Sequence, residues 1–110
     1  MVRAQLGGED APELVVTKSE LELRAGQYIV RFDGKVSDRG CYSADPAGTP
    51  HLLTLDGTQG TNAGRTIPCI YQLVGDRLRV CYGFGGTRPT AFVTAPGTKP
   101  YLAFYRRKST

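Results

Sequence analysis

The residues that could do chemistry in this chain are few and scattered. His51 is the single histidine, and the three cysteines, Cys41, Cys69 and Cys81, form no C-x-x-C pair. A histidine-based metal centre would lack its second imidazole, and a thiol nucleophile would need His51 brought to it by the fold. Cys41-Tyr42 and Cys81-Tyr82 lie in stretches of alternating character, where cysteine is ordinarily a small apolar filler. Three thiols cannot all pair internally, so free thiols are expected, with a Cys41–Cys81 bridge open only if their strands are neighbours. Asp33, Asp45, Asp56 and Asp76 each stand beside Gly or Pro, where a carboxylate caps its own turn rather than forming an acid–base pair. The stretch Gly57 to Gly64 lacks the Gly-Lys-Ser/Thr ending of a phosphate loop and leads into a strand, so it reads as a connection. No catalytic residue, metal ligand or cofactor is assigned, and the chain is expected not to be an enzyme.

Binding is the remaining class. Gly83-Phe84-Gly85-Gly86 is expected to be a mobile loop that exposes Phe84, and a large aromatic at a flexible edge is a contact surface. Arg88 precedes Pro89, which restrains its backbone. Its guanidinium could pair with an anionic ligand group or hold loop carbonyls, and both readings stay open. Tyr28, Phe84, Arg88 and Tyr101 are the expected ligand-binding residues at a barrel mouth. Fourteen basic against ten acidic residues give a net charge of +4. Arg77, Arg79 and the Arg106-Arg107-Lys108 tail would make a basic patch if the last strand lies beside the hairpin. Single-stranded nucleic acid or an anionic surface could use such a patch; the plainer reading is a solvated strand face that discourages edge pairing.

The elements that must position these residues are strands. At 110 residues with 40% hydrophobic content, 14 Gly and 7 Pro, the chain is one domain with frequent turns. No stretch approaches a membrane span, and Met1-Val2-Arg3 leads into no apolar signal core. The chain reads as soluble, its compartment unassigned. Val2, Ala4 and Leu6 suggest a first strand, and Ala11 to Leu14 could open a short helix. Glu20–Arg24, Gln27–Phe32, Lys35–Ser37, Gly40–Asp45, Pro50–Asp56, Ala91–Thr94 and Tyr101–Arg107 read as strands, and Asp33-Gly34 is the strongest hairpin signal.

Ile67 to Tyr82 reads as a tight apolar hairpin. A turn centred on Val74-Gly75 would pair Leu73 with Asp76, Tyr71 with Leu78, Cys69 with Val80 and Ile67 with Tyr82, placing Cys69 inward and Cys81 outward. Val tolerates positive φ poorly, so a type I turn with Gly75 in a bulge competes, shifting the register by one. The expected inward residues are Leu21, Leu23, Tyr28, Val30, Phe32 and Tyr42, then Leu53, Leu55, Ile67, Tyr71, Leu73, Leu78, Val80 and Tyr82, and finally Phe92, Leu102 and Phe104. The expected fold is all-β, an antiparallel meander barrel or strongly curved sheet of about six to eight strands.

Gly40-Cys41-Tyr42-Ser43-Ala44-Asp45-Pro46, Ile70-Tyr71-Gln72-Leu73 with Gly75-Asp76-Arg77-Leu78, Cys81-Tyr82, and Arg88-Pro89-Thr90-Ala91-Phe92 together resemble the signature of a small bacterial domain family. That family is of unknown function, is expanded in planctomycetes and is similar to lipocalin-like β-barrels. The matched pattern is G-x-Y-x-x-D-P, I-Y-x-L-x-G-D-x-L-x-x-C and R-P-T-x-F, spread over about Leu21 to Arg107. The resemblance implies a lipocalin-like barrel and carries no catalytic residue. The family's Leu-x-Gly-x-Trp opening is missing, since the chain has no Trp, which implies an incomplete N-terminal strand, an exposed edge, and a monomer or weak homodimer.

The leading expectation is a non-enzymatic module binding a small apolar or amphipathic molecule, or a protein partner, at the barrel mouth. A structural module with a filled core and weak nucleic-acid binding through the basic patch are the alternatives, the last disfavoured by the meander.

Overall fold

The computed structural model describes residues 1–6, 8–94 and 100–106. Alternating side chains build nine strands: β1 Arg3–Leu6, β2 Glu9–Asp10, β3 Ser19–Arg24, β4 Gln27–Phe32, β5 Lys35–Asp45, β6 His51–Gly60, β7 Thr66–Val74, β8 Arg77–Tyr82 and β9 Tyr101–Arg106. They form one antiparallel sheet in the order β2-β1-β9-β8-β7-β6-β5-β4-β3, curled so strongly that it makes a half-barrel. The expected all-β class is thus formed as the curved sheet; β1 realises the first strand read from Val2, Ala4 and Leu6, whereas β2 was not expected, and the described strands number nine. β2 and β3 are its edges. The N-terminal ammonium of Met1 reaches toward the β3 edge, donating to the Ser19 carbonyl at 2.8 Å.

The one described helix, α1 (Glu13–Lys18), is six residues long. It includes Val15, Val16 and Thr17, whose branched side chains favour extension. Hydroxyls compensate locally: Thr17 donates to Glu13 O at 3.0 Å and Ser19 to Val15 O at 2.6 Å.

Turn chemistry sets the registers. Asp33 and Gly34 both adopt positive φ, 54° and 78°, as a type I′ hairpin turn requires. The β7–β8 hairpin turns on Gly75-Asp76, not on Val74-Gly75: Val74 pairs with Arg77, Leu73 with Leu78, Tyr71 with Val80 and Cys69 with Tyr82. Gly75, with φ of +61°, occupies the first turn position, where a positive φ would have strained Val74. The pairing therefore moves by two residues relative to expectation. Because side chains alternate with period two, every facing survives this shift. Cys69 lies inside and Cys81 on the opposite face, in two separate apolar clusters.

The inner cluster comprises Tyr28, Leu53, Leu55, Ile67, Cys69, Val80, Tyr82 and Ala103. The last strand faces opposite to expectation. Val80 pairs with Ala103 and Tyr82 with Tyr101, so Tyr101, Ala103 and Tyr105 point inward while Leu102 and Phe104 point outward. They do so because the outer face has its own apolar cover: Phe92 packs there with Ile70, Cys81, Leu102 and Phe104. Phe92 is accordingly an outer residue, and Ala91–Thr94 forms no strand. Phe32 and Leu73, also expected inward, are 42% and 49% exposed, being strand-end residues beyond the packed region. Ile67→Ala should destabilise by about 2–5 kcal/mol, since it leaves a cavity in this core. Leu73→Ala should cost well under about 1 kcal/mol in the same urea melts.

The expected loop Gly57–Gly64 is half strand, with Arg39 opposite Gln59 and Asp38 opposite Gly60 across a bulge. Close backbone approach explains two of its glycines: a Cβ on Gly57 would collide with the Asn62 carbonyl, and one on Gly60 with the Ser37 carbonyl.

Candidate functional site

The two ends of the half-barrel differ. At the end where β8 finishes and β9 begins, aromatic rings fill the interior. Phe84 stacks on Tyr82 with centroids 5.3 Å apart, and Tyr101 lies 5.9 Å from Tyr82 and 6.0 Å from Phe84. Tyr82 also shares a 2.7 Å hydroxyl hydrogen bond with Tyr105. Beside the rings runs a polar chain. The Tyr28 hydroxyl donates to Asp38 Oδ2 at 3.2 Å, and Asn62 donates its backbone N–H to Asp38 Oδ1 at 3.3 Å and its amide to Oδ2 at 2.9 Å. Asn62 Oδ1 accepts from Arg65, whose second nitrogen donates to the Phe84 carbonyl at 2.6 Å. The carboxylate of Asp38 is buried and accepts three hydrogen bonds. Phe84, expected on a mobile loop, is instead half-buried and held from its ring and its carbonyl.

The other end, where the β7–β8 turn lies, is hollow. A trough of about 640 Å³ opens there along the inner face. Its floor and walls are Leu21, Leu23, Tyr42, Leu53, Tyr71 and Leu78, and its lip carries Glu20, Glu22, Arg31, Asp76 and Arg106. Arg31 and Glu22 bridge at 3.3 Å. The sequence placed Tyr42, Tyr71 and Leu78 inward without separating residues that fill the interior from residues that border space. Which inward residues meet a neighbour and which border space depends on how far the sheet curls, and periodicity does not encode that.

None of the four expected binding residues lines this trough. Phe84 and Tyr101 are brought together, at the filled end. Tyr28 has no exposed surface. Arg88 is separate from all three, its guanidinium donating to the carbonyls of Cys69 at 2.6 Å and Leu53 at 3.1 Å and to Thr54 Oγ1 at 2.9 Å. Thr54 alternates outward, so Arg88 straps the segment after β8 onto the convex face. Of the two roles open to Arg88, holding carbonyls is the one its contacts display. Arg88→Ala should therefore lower stability by about 1.5–3 kcal/mol, the range for hydrogen bonds to a charged group, while leaving binding in the trough unchanged.

Two of the three candidate thiols, Cys69 and Cys81, are buried. Burial pushes the Cys69 thiol up to about 12, against the opposing influence of the Gly83 N–H and the Arg88 charge. Burial also raises Cys81. All three thiols are free, with Cys41 exposed, and a Cys41–Cys81 bridge is ruled out by topology because β5 and β8 are not neighbours. His51 Nδ1 lies 2.9 Å from the Gly48 carbonyl and its ring tilts on Tyr71 at 5.4 Å. Asp45 accepts from the Ala47 N–H at 3.0 Å, the turn-capping role expected of it. No group of three or more His, Cys, Asp and Glu among the described residues could hold a metal ion. No described helix is long and apolar enough to cross a membrane.

No family model, curated protein or solved structure matches this chain.

Proposed function

We propose that this half-barrel is a non-enzymatic binding module that takes a small apolar or amphipathic molecule into the trough at its hairpin end. The observation that carries this reading is the size and lining of that space. About 640 Å³ falls within the range of roughly 300–1,000 Å³ typical of small-molecule sites. Its walls offer aliphatic and aromatic surface, and its lip offers charges of both signs for a polar end group. A module with a filled core would have the aromatic packing of the opposite end throughout.

The test is a titration with a fatty acid and with an environment-sensitive apolar dye. Saturable binding is expected for both. Ala44, exposed and bordering the trough, can be enlarged without disturbing the packed end. Ala44→Phe should retain the native melting profile and weaken binding at least about tenfold, the equivalent of ~1.4 kcal/mol. Unchanged affinity in this variant would remove the trough from consideration.

A further inference from the structure

The outer face beside the hairpin tip carries a second hollow, of about 460 Å³, and its lining is cationic. Register explains the arrangement. Arg77 stands directly opposite Arg106, and Arg79 opposite Phe104, which in turn faces Arg3. Arg3 bridges Asp10 at 3.2 Å, and Arg79 donates to Gln72 at 2.8 Å. Arg77 and Arg106 are exposed and have no ion pair among the described residues. Like charges directly opposite each other in a sheet are unfavourable, and an external anion would relieve that repulsion. The same tip exposes aliphatic side chains: Val74 at 66%, Val2 at 57% and Leu73 at 49%. Val2 and Val74 border the cationic hollow, and Leu73 borders the trough on the inner face.

From this juxtaposition of unpaired arginines and exposed aliphatic side chains at one tip, we infer that the β7–β8 hairpin docks on an anionic lipid surface. Arginines meet the headgroups, and Val74 and Leu73 enter the interface, the combination by which peripheral proteins hold to membranes. Nucleic acid fits the patch less well. Single strands are bound by stacking bases on open aromatic faces, whereas the Phe92 ring is covered by the Arg79 guanidinium at 3.9 Å and the Phe104 ring by that of Arg3 at 5.8 Å. The inference uses the outer face and the tip and does not depend on the trough being occupied. Arg107 and Lys108, which the sequence added to the patch, lie outside the described residues.

Co-sedimentation of the full chain with vesicles tests it. Vesicles of phosphatidylserine and phosphatidylcholine should retain the protein at low salt, with retention falling as salt screens the charges; pure phosphatidylcholine vesicles should not retain it. Near a charged surface each basic residue contributes about 1 kcal/mol, so Arg77→Gln with Arg106→Gln should lower partitioning roughly thirtyfold. The Arg77→Lys, Arg106→Lys pair should keep most of it, and Val74→Ser should weaken it with the charge intact. Melting curves should show both pairs folded, since the side chains are exposed. Equal retention by neutral vesicles, wild-type retention of the double glutamine variant, or tighter binding to a short single-stranded oligonucleotide than to anionic vesicles would each overturn the inference. Arg77→Gln alone and Val74→Ser change residues that do not line the trough, so dye binding without vesicles should be the same in both, and failure of docking and failure of trough binding are separable.

Discussion

Asp38→Ala should be among the most damaging single substitutions in this protein, lowering unfolding free energy by about 2–5 kcal/mol, since it strands several buried donors at about 1–3 kcal/mol each. The carboxylate accepts from the Tyr28 hydroxyl and from both the backbone and the amide of Asn62. Asp38, Tyr28 and Asn62 are all buried. Truncation leaves three donors without an acceptor, each costing about 1–3 kcal/mol, less what entering water recovers. The damage should spread along the chain of contacts to Arg65 and the Phe84 carbonyl, loosening the aromatic stack. Tyr28→Phe removes one donor together with its bond and should cost far less. Urea melts of the two variants separate these outcomes; equal losses would mean that the carboxylate is not the hub of the network.

A steep alkaline unfolding is the second large effect. Tyr28 and Tyr82 are held above the usual tyrosine range by burial, with Asp38 adding to the first and Tyr105 to the second, and Tyr105 is likewise raised by burial. Cys69 is pushed up to about 12, again by burial. Each group keeps its proton longer in the folded state than in the unfolded chain. Their contribution is complete below the unfolded values and is lost as pH rises toward the folded ones. The decline should begin near pH 8.5–9 through Cys69 and steepen above about pH 10 as the tyrosines of the unfolded chain ionise. The four groups, Cys69, Tyr28, Tyr82 and Tyr105, give a limiting slope of about 5 kcal/mol per pH unit at ~1.36 kcal/mol per proton. Urea midpoints measured from pH 8 to 11 should fall along this curve, and Cys69→Ala should remove its first part. A flat profile to pH 11 would show that these side chains are hydrated.

Much of this fold was legible in the sequence, and the reason is periodicity. Strands such as Gln27–Phe32 alternate cleanly, and Asp33-Gly34 names its own turn. Parity also protected the β7–β8 hairpin: its turn lay one residue further along, yet Tyr71, Leu78, Val80 and Cys69 kept their faces. The last strand was misread for a different reason. Tyr101 to Arg106 is apolar on both faces, and only the cover supplied by Phe92 on the convex side makes Leu102 and Phe104 outward residues. The candidate site was less legible still. Tyr28, Phe84, Arg88 and Tyr101 share a plausible chemistry, but hydrogen bonds distant in sequence decide their places: Arg88 to Cys69 and Leu53, and Tyr28 to Asp38. The lip of the trough draws Glu22 and Arg31 from one hairpin, Asp76 from another and Arg106 from the last strand. No local pattern joins these residues; the curl of the sheet does.

The most direct measurement of trough binding is isotope-edited NMR of a saturated complex with a medium-chain fatty acid, observing contacts between ligand methylenes and protein methyls. Contacts to Leu21, Leu23, Leu53 and Leu78, with none to Leu102 on the convex face, are the expected result. Contacts confined to the convex face, or a ligand that saturates without touching any of these four leucines, would contradict the proposed function.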